Sequence, residues 1–350
     1  MSKYLVRGET LTAIADAIRS KTGKTNAITL NDFVTEIEQV DYREVIDSVP
    51  SVSGTLTYNG SAQSPTLLAY NPDQLMMTGI SSATNAGTYE MAFSPKEGYK
   101  WADNTTAAKV VEWSIAKVDG SLSLSATSGT IEGKGVTKTF TVTRDGDGEI
   151  TAVSSNASIA AVSVSGTTVT ITSKGYGSAT ITISIAEGTN HTAPSNKTYS
   201  VTVNYLYLYN AGDENTSVTG GWVTEAKAYH NGSVAVAAKV TKDGSSITVK
   251  PNGDGGCILY TKNKISLKDY NKIVFNVKVS GATAYDTLCN MRVWSSIGTY
   301  SASNVVATSA LQYHSSGSVT LDVSSLTGSY NIGFGLYASG TVTLNSMRLE

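Results

Sequence analysis

The chain is short of charge: only 15% of its 350 residues are Asp, Glu, Lys or Arg, against about 25% in an average soluble protein. With a formal net charge of -2, it offers no basic field for phosphates, so neither nucleic acid nor anionic membrane is an expected partner. No stretch approaches the roughly 18 apolar residues of a membrane-spanning helix. Histidine is nearly missing, and His191, His230 and His314 lie far apart, which disfavours a metal centre built on adjacent imidazoles. No HExxH or GxSxG string occurs, and no phosphate-cradling or dinucleotide glycine motif opens a helix. Two cysteines, Cys257 and Cys289, have no CxxC around either. They read as small buried apolar residues, with a disulfide between them left open.

The polar surface is carried by hydroxyls instead, since Ser and Thr make up roughly a quarter of the chain. Tyrosine is the dominant aromatic, 19 residues against 5 Phe and 4 Trp. It suits both strands and exposed binding surfaces. At about 100 to 200 residues per domain the length predicts two to four units.

The opening residues Met1 to Glu9 lack the roughly 7 to 15 consecutive apolar residues of a secretion signal. From Thr10, Leu11, Ile14, Ala15 and Ile18 fall at helical spacing, and Gly23 supplies a stop. A second helix is expected from Thr29, with Asp32 completing a capping box and Phe33, Ile37 and Val40 on its apolar stripe. Two such helices bury too little surface to be stable alone. Leu11, Ile14, Ile18, Phe33 and Ile37 are therefore candidates for docking on a partner. A DNA-reading pair of helices is disfavoured, because Asp32, Glu36, Glu38 and Asp41 would repel phosphate.

After a polar stretch at 41–50, read as a linker, the period changes from 3.6 to 2. Turn signals at Asn59-Gly60, Asn71-Pro72-Asp73 and Glu97-Gly98 separate short strands over 50–117, spacing that suits a small antiparallel sandwich with Trp101 and Trp113 in its core. Over 118–204 the segments Thr139 to Thr143, Thr167 to Thr172 and Ala179 to Ile185 alternate apolar and hydroxyl residues, as half-buried strands do. The last stretch, 205–350, carries seven or more strand candidates and glycine-rich turns, the pattern of a jelly-roll sandwich. The fold class expected is mainly β and multidomain: a helical hairpin, two Ig-like sandwiches and a C-terminal jelly roll.

Sugar recognition needs a flat aromatic face and planar polar groups. Trp222, Tyr229, His230, Arg292, Trp294, Tyr300, Tyr313 and His314 are the candidates, with Asp213, Asn231 and Asn290 as further hydrogen-bonding partners. Arg292 and Trp294, two apart on one strand, are expected to share a face. Asp213 and Glu214 are weaker candidates for a structural calcium ion, and no other cofactor is implied. Catalysis is not expected. A glycosidase would need two carboxyls held together, and Asp213, Glu214, Glu225, Asp254, Asp269 and Asp286 are the acids from which such a pair would come.

Several segments carry resemblances. Tyr4-Leu5-Val6-Arg7-Gly8-Glu9-Thr10-Leu11-Thr12-Ala13-Ile14-Ala15-Asp16-Ala17-Ile18-Arg19, followed by Gly23 and a short helix, resembles the N-terminal module of tail and appendage proteins in phages and prophages of Gram-positive bacteria. Leu56 to Gly60, Asn85 to Tyr89, Gly98 to Trp101 and Val111 to Ile115 resemble an Ig-like repeat of bacterial surface proteins. Ser154 to Val164, Val169 to Thr172 and Gly175 to Ile181 are similar to the bacterial Ig-like group 2 domain. Leu208 to Asp213, Thr219 to Trp222 and Val342 to Leu349 resemble carbohydrate-binding-module jelly rolls appended to phage proteins.

These resemblances imply a non-enzymatic virion protein, made in the host cytoplasm and anchored through residues 1–45 to other virion proteins. It would present its β-modules to a host-surface or mucin glycan. A structural capsid or tail decoration protein is the alternative, and a polysaccharide-degrading enzyme a third reading. A homo-oligomer, and a trimer in particular, suits a fibre, yet no heptad seam lasts the roughly three or four heptads that would argue for one.

Overall fold

A computed structural model describes residues 8–29, 32–38, 40–227, 234–253, 255–280, 287–312, 316–337 and 340–350. The protein is mainly β and multidomain. It divides into two compact units, Met1–Asp119 with Glu187–Thr192, and Gly120–Ala186 with Ala193–Glu350. No helix among the described residues is long and apolar enough to cross a membrane.

The first unit opens with a helix at Gly8–Thr22. Its end follows from Gly23, whose positive φ of 69° suits a residue without Cβ and whose N–H bonds the Arg19 carbonyl at 2.9 Å. The second helix, Phe33–Glu38, is shorter than its periodicity suggests. The Thr29 hydroxyl donates to the Asp32 carboxylate and a backbone turn joins the two residues ahead of the helix. Lys24 ties the pair together through Glu36 at 2.5 Å. Of the expected docking stripe, Ile14 and Ile37 are 39% and 41% exposed and Leu11 is half-buried. Ile18 is packed away at 5% exposure, which corrects its assignment to an exposed stripe. Phe33 lies on the second helix, and its side chain falls outside the described residues.

The stretch read as a linker contains a strand, Glu44–Ile46, which runs parallel to Tyr99–Trp101 and buries Ile46. A four-stranded sheet follows, ordered Leu56–Thr57, Lys109–Ala116, Gly87–Pro95, Leu75–Gly79. Trp101 and Trp113 lie in its core, as expected, and satisfy their indole N–H groups on the carbonyls of Ala107 and Ile80 at 2.8 and 2.7 Å. Glu187–Thr192 belongs to this unit: His191–Thr192 pairs with Val118–Asp119, and the His191 ring meets Tyr58 edge-on at 5.5 Å.

The second unit begins with two four-stranded sheets face to face. One is ordered Ser121–Leu124, Thr137–Asp145, Thr168–Ser173, Ala160–Ser165; the other Ser128–Glu132, Lys197–Asn204, Gly177–Ile185, Ile150–Ser154. Alternation explains the layering, since Ile181, Ile183 and Ile185 point inward and Thr182 and Ser184 between them outward. Phe140 and Tyr199 stack in the middle, rings 4.4 Å apart and 2° from parallel.

The C-terminal jelly roll occupies the rest of that unit. In one sheet the strand Thr341–Leu349 is flanked on one side by Leu206–Asn210 and Ile247–Pro251 and on the other by Lys272–Ser280, with Ser316–Asp322 beyond. The opposing sheet is ordered Trp222–Ala226, Gly256–Thr261, Ser329–Tyr337, Thr287–Trp294, Val305–Gln312. Leu259, Met291, Val293, Phe334, Phe275 and Leu344 fill the space between the sheets. Gly256–Thr261 is buried at every position. It shows no alternation, which is why periodicity does not reveal it.

Candidate functional site

Each strand of the second jelly-roll sheet turns alternate residues away from the core. The register lines these up in rows across five strands. One row runs Val223, Tyr260, Gly333, Arg292, Thr308, and the next Glu225, Ile258, Gly335, Asn290, Ala310. Trp294 follows opposite Asn331 and Val305. The result is a sheet face carrying a phenol, a carboxylate, a guanidinium and a carboxamide.

The two glycines make the arrangement possible. A Cβ on Gly335 would stand 2.6 Å from Arg292 Nη1, so the bare backbone of Gly335 is what lets the guanidinium lie over this strand. A Cβ on Gly333, between Tyr260 and Arg292, would fall on the Leu259 carbonyl oxygen. Tyr260 donates its hydroxyl to the Glu225 carboxylate, whose other oxygen takes Lys227 at 3.0 Å. The Tyr260 hydrogen bond, aided by Lys227 against a burial effect, holds the Glu225 carboxyl below its ordinary range. Burial and that same carboxylate push the Tyr260 phenol up to about 12.

Of the residues singled out from the sequence, Arg292 and Trp294 lie on this face, and Tyr300 stands in the loop that follows. Arg292 and Trp294 do share the face, but at 4% and 1% exposure. Trp294 packs edge-on to Tyr260 at 6.4 Å, against Ile258, Ile297 and Val305, and its indole N–H donates to the Ser301 carbonyl at 3.0 Å. A ring so enclosed has no face left for a sugar, so its place is in a second small core beneath the Ser295 to Asn304 loop. Tyr300, half-buried, stands in that loop. Trp222 turns the other way and packs half-buried against the core between the sheets. Tyr229, His230, Asn231, Tyr313 and His314 lie outside the described residues.

Asp213 is exposed, and Glu214 is engaged by Lys242 at 3.0 Å. No group of three or more His, Cys, Asp or Glu among the described residues is placed to hold a metal ion. Reading from sequence alone missed Tyr260 and placed Glu225 only among acids of a conceivable hydrolase. The available signal was the alternation of Gly333 and Gly335 within Asn331-Ile332-Gly333-Phe334-Gly335, which marks a strand face over which neighbouring side chains lie flat.

No family model matches the chain, and no curated protein does. Among solved structures, the chain is similar to a study of the promiscuous specificity of carbohydrate-binding modules from the β-sandwich superfamily, at 12% identity and TM-score 0.30, over 66% of this chain and 97% of that one. It is similar to a low-affinity xylan-binding module from the gut symbiont Roseburia intestinalis at 15% identity and TM-score 0.24, covering 37% and 93%. The secreted serine protease VesC from Vibrio cholerae matches at 12% identity and TM-score 0.24, over 76% of this chain and 47% of that one.

Proposed function

We propose that this protein is a non-enzymatic appendage of a phage particle that binds a glycan or other host-surface polymer through its C-terminal module. The observation that carries the binding part is the hydrogen-bonded pair of Glu225 and Tyr260 on one sheet face, where the Glu225 side chain is 36% exposed, with Asn290 and Arg292 buried in the same two rows. A carboxylate bonded to a phenol offers planar acceptors beside an aromatic ring, the kind of set that reads sugar hydroxyls. The same geometry argues against hydrolysis. Cleavage of a glycosidic bond needs an acid with a raised pKa and a second carboxylate about 5 to 9.5 Å away. Glu225 is the one carboxylate among the described strand positions of that face, and its pKa is lowered.

The particle part rests on the likeness of Tyr4 to Arg19 to phage appendage modules and on the exposed Ile14 and Ile37 of the helical pair. This module would dock on other virion proteins, and repetition on the particle would multiply weak contacts through avidity. The test is adsorption of the purified full chain to Gram-positive cells and isolated walls. Retention that falls in Glu225→Gln and Tyr260→Phe is expected, with no reducing sugar released. Full retention in both variants would sink the binding face, and steady release of reducing ends would sink the non-enzymatic reading.

A further inference from the structure

Within the second unit a cleft of about 620 Å³ opens where the sandwich of 120–204 meets the jelly roll, and three tyrosines line it, Tyr176, Tyr205 and Tyr207. Its polar lining comes from Glu132, Asn204 and Asn210. The volume is that of an ordinary small-ligand site. The three rings are half-buried, whereas Glu132, Asn204 and Asn210 are exposed.

The aromatic side is firmly held. Tyr176 and Tyr205 pack with centroids 4.2 Å apart, and the Tyr176 hydroxyl donates to the Leu349 carbonyl at 3.1 Å. That bond directs the hydroxyl into the junction. Arg348 stands 4.9 Å from the Tyr205 centroid and 6.0 Å from that of Tyr207, while Lys134 stands 4.7 Å from Tyr176. The polar side is ordered as well, because the Asn204 amide donates to the Glu132 carboxylate at 3.1 Å. Rings fixed in this way lose little freedom on meeting a ligand.

The charges identify the ligand class. Arg348 is bound to Glu350 at 2.6 Å, and Glu350 also takes Lys272 at 2.7 Å. Lys134 faces Tyr176, and Glu132 is the carboxylate of the lining. Among the described residues the two cations at the cleft are engaged, Arg348 by Glu350 and Lys134 over the Tyr176 ring, whereas amides, a carboxylate and tyrosine rings suit uncharged hydroxyls and the apolar side of a pyranose.

We propose that the cleft between Tyr176, Tyr205 and Tyr207 is a second saccharide subsite of the protein, one that takes a short neutral oligosaccharide. It rests on the glycan-binding reading of the chain but on different residues. A purely structural junction would use the same tyrosines as packing and leave Asn210 idle.

The test is electrophoresis of the full chain through gels containing laminarin, mannan or dextran, with hyaluronan as the anionic control. Retardation by at least one neutral polymer is expected. Tyr207→Ala and Asn210→Ala should weaken it about tenfold, Tyr207→Phe should retain it, and Asn210→Ala should melt like the parent. Equal retardation of the parent and both alanine variants would overturn the subsite while leaving the sheet-face reading intact. So would cell adsorption without retardation by any neutral polymer, or retardation by hyaluronan alone. Loss of adsorption to cells and walls by the parent itself would remove the wider reading.

Discussion

Cys257 and Cys289 stand on opposite sides of Leu336, each its register partner, so a whole strand separates the two buried thiols. Two strand spacings put their backbones roughly 9.5 Å apart, beyond the about 7 Å a disulfide tolerates. Burial pushes the Cys257 thiol up to about 12 and raises Cys289 further. The native protein should therefore react with neither equivalent of a thiol reagent at pH 8, and both should react after denaturation. Reductant should leave the melting temperature unchanged. A melting point that falls on reduction would contradict the register.

Gly333 and Gly335 should tolerate alanine unequally. At Gly335 the new methyl meets the end of the Arg292 side chain, which must shift within a buried site, and a loss of about 1–3 kcal/mol is expected. At Gly333 it meets the rigid backbone of the neighbouring strand, so Gly333→Ala should lose more. Denaturant unfolding of the two variants measures both.

The Tyr260–Glu225 bond should shape stability against pH from both ends. Glu225 has a folded pKa below its ordinary value, so its contribution is present above the usual carboxylate range and fades as the solution is acidified through it. Tyr260 has a raised pKa, so its contribution is present below pH 10 and fades as pH climbs towards about 12. Tyr260→Phe should flatten both limbs. At neutral pH it should remove roughly 1 kcal/mol, a small value because the Glu225 side chain is 36% exposed. Parallel profiles for parent and variant would rule the bond out as their cause.

Tyr199 offers a change of opposite sign. Its ring is stacked on Phe140, but its hydroxyl is buried with no hydrogen-bond partner among the described residues. Tyr199→Phe should be neutral or stabilising by up to about 1 kcal/mol, whereas Tyr199→Ala should remove about 3–5 kcal/mol. Thermal melts of the two variants would show the contrast, and a clear loss in the phenylalanine variant would mean that the hydroxyl has a partner after all.

Legibility from sequence followed the burial geometry of each strand. Where one face is wet and the other dry, as in Ala179 to Ile185, alternation shows the strand and its inward residues. Where both faces are covered, as in Gly256–Thr261, the signal vanishes. The candidate site suffered from the same ambiguity. The two-residue spacing of Arg292 and Trp294 predicts a shared face, but an aromatic in a sequence does not say whether its face is open, and the loop carrying Ser301 closes over this one.

The sequence by itself determined the class of the protein: mainly β, multidomain, poor in charge, with a helical pair at the start. Those properties depend on local period and composition, which neighbouring residues carry. Tertiary structure alone decided which polar groups meet. Glu225 reaches Tyr260 across 35 positions, and Tyr176 reaches the carbonyl of Leu349 across 173. Strand order and register bring such pairs together, and no local pattern encodes either.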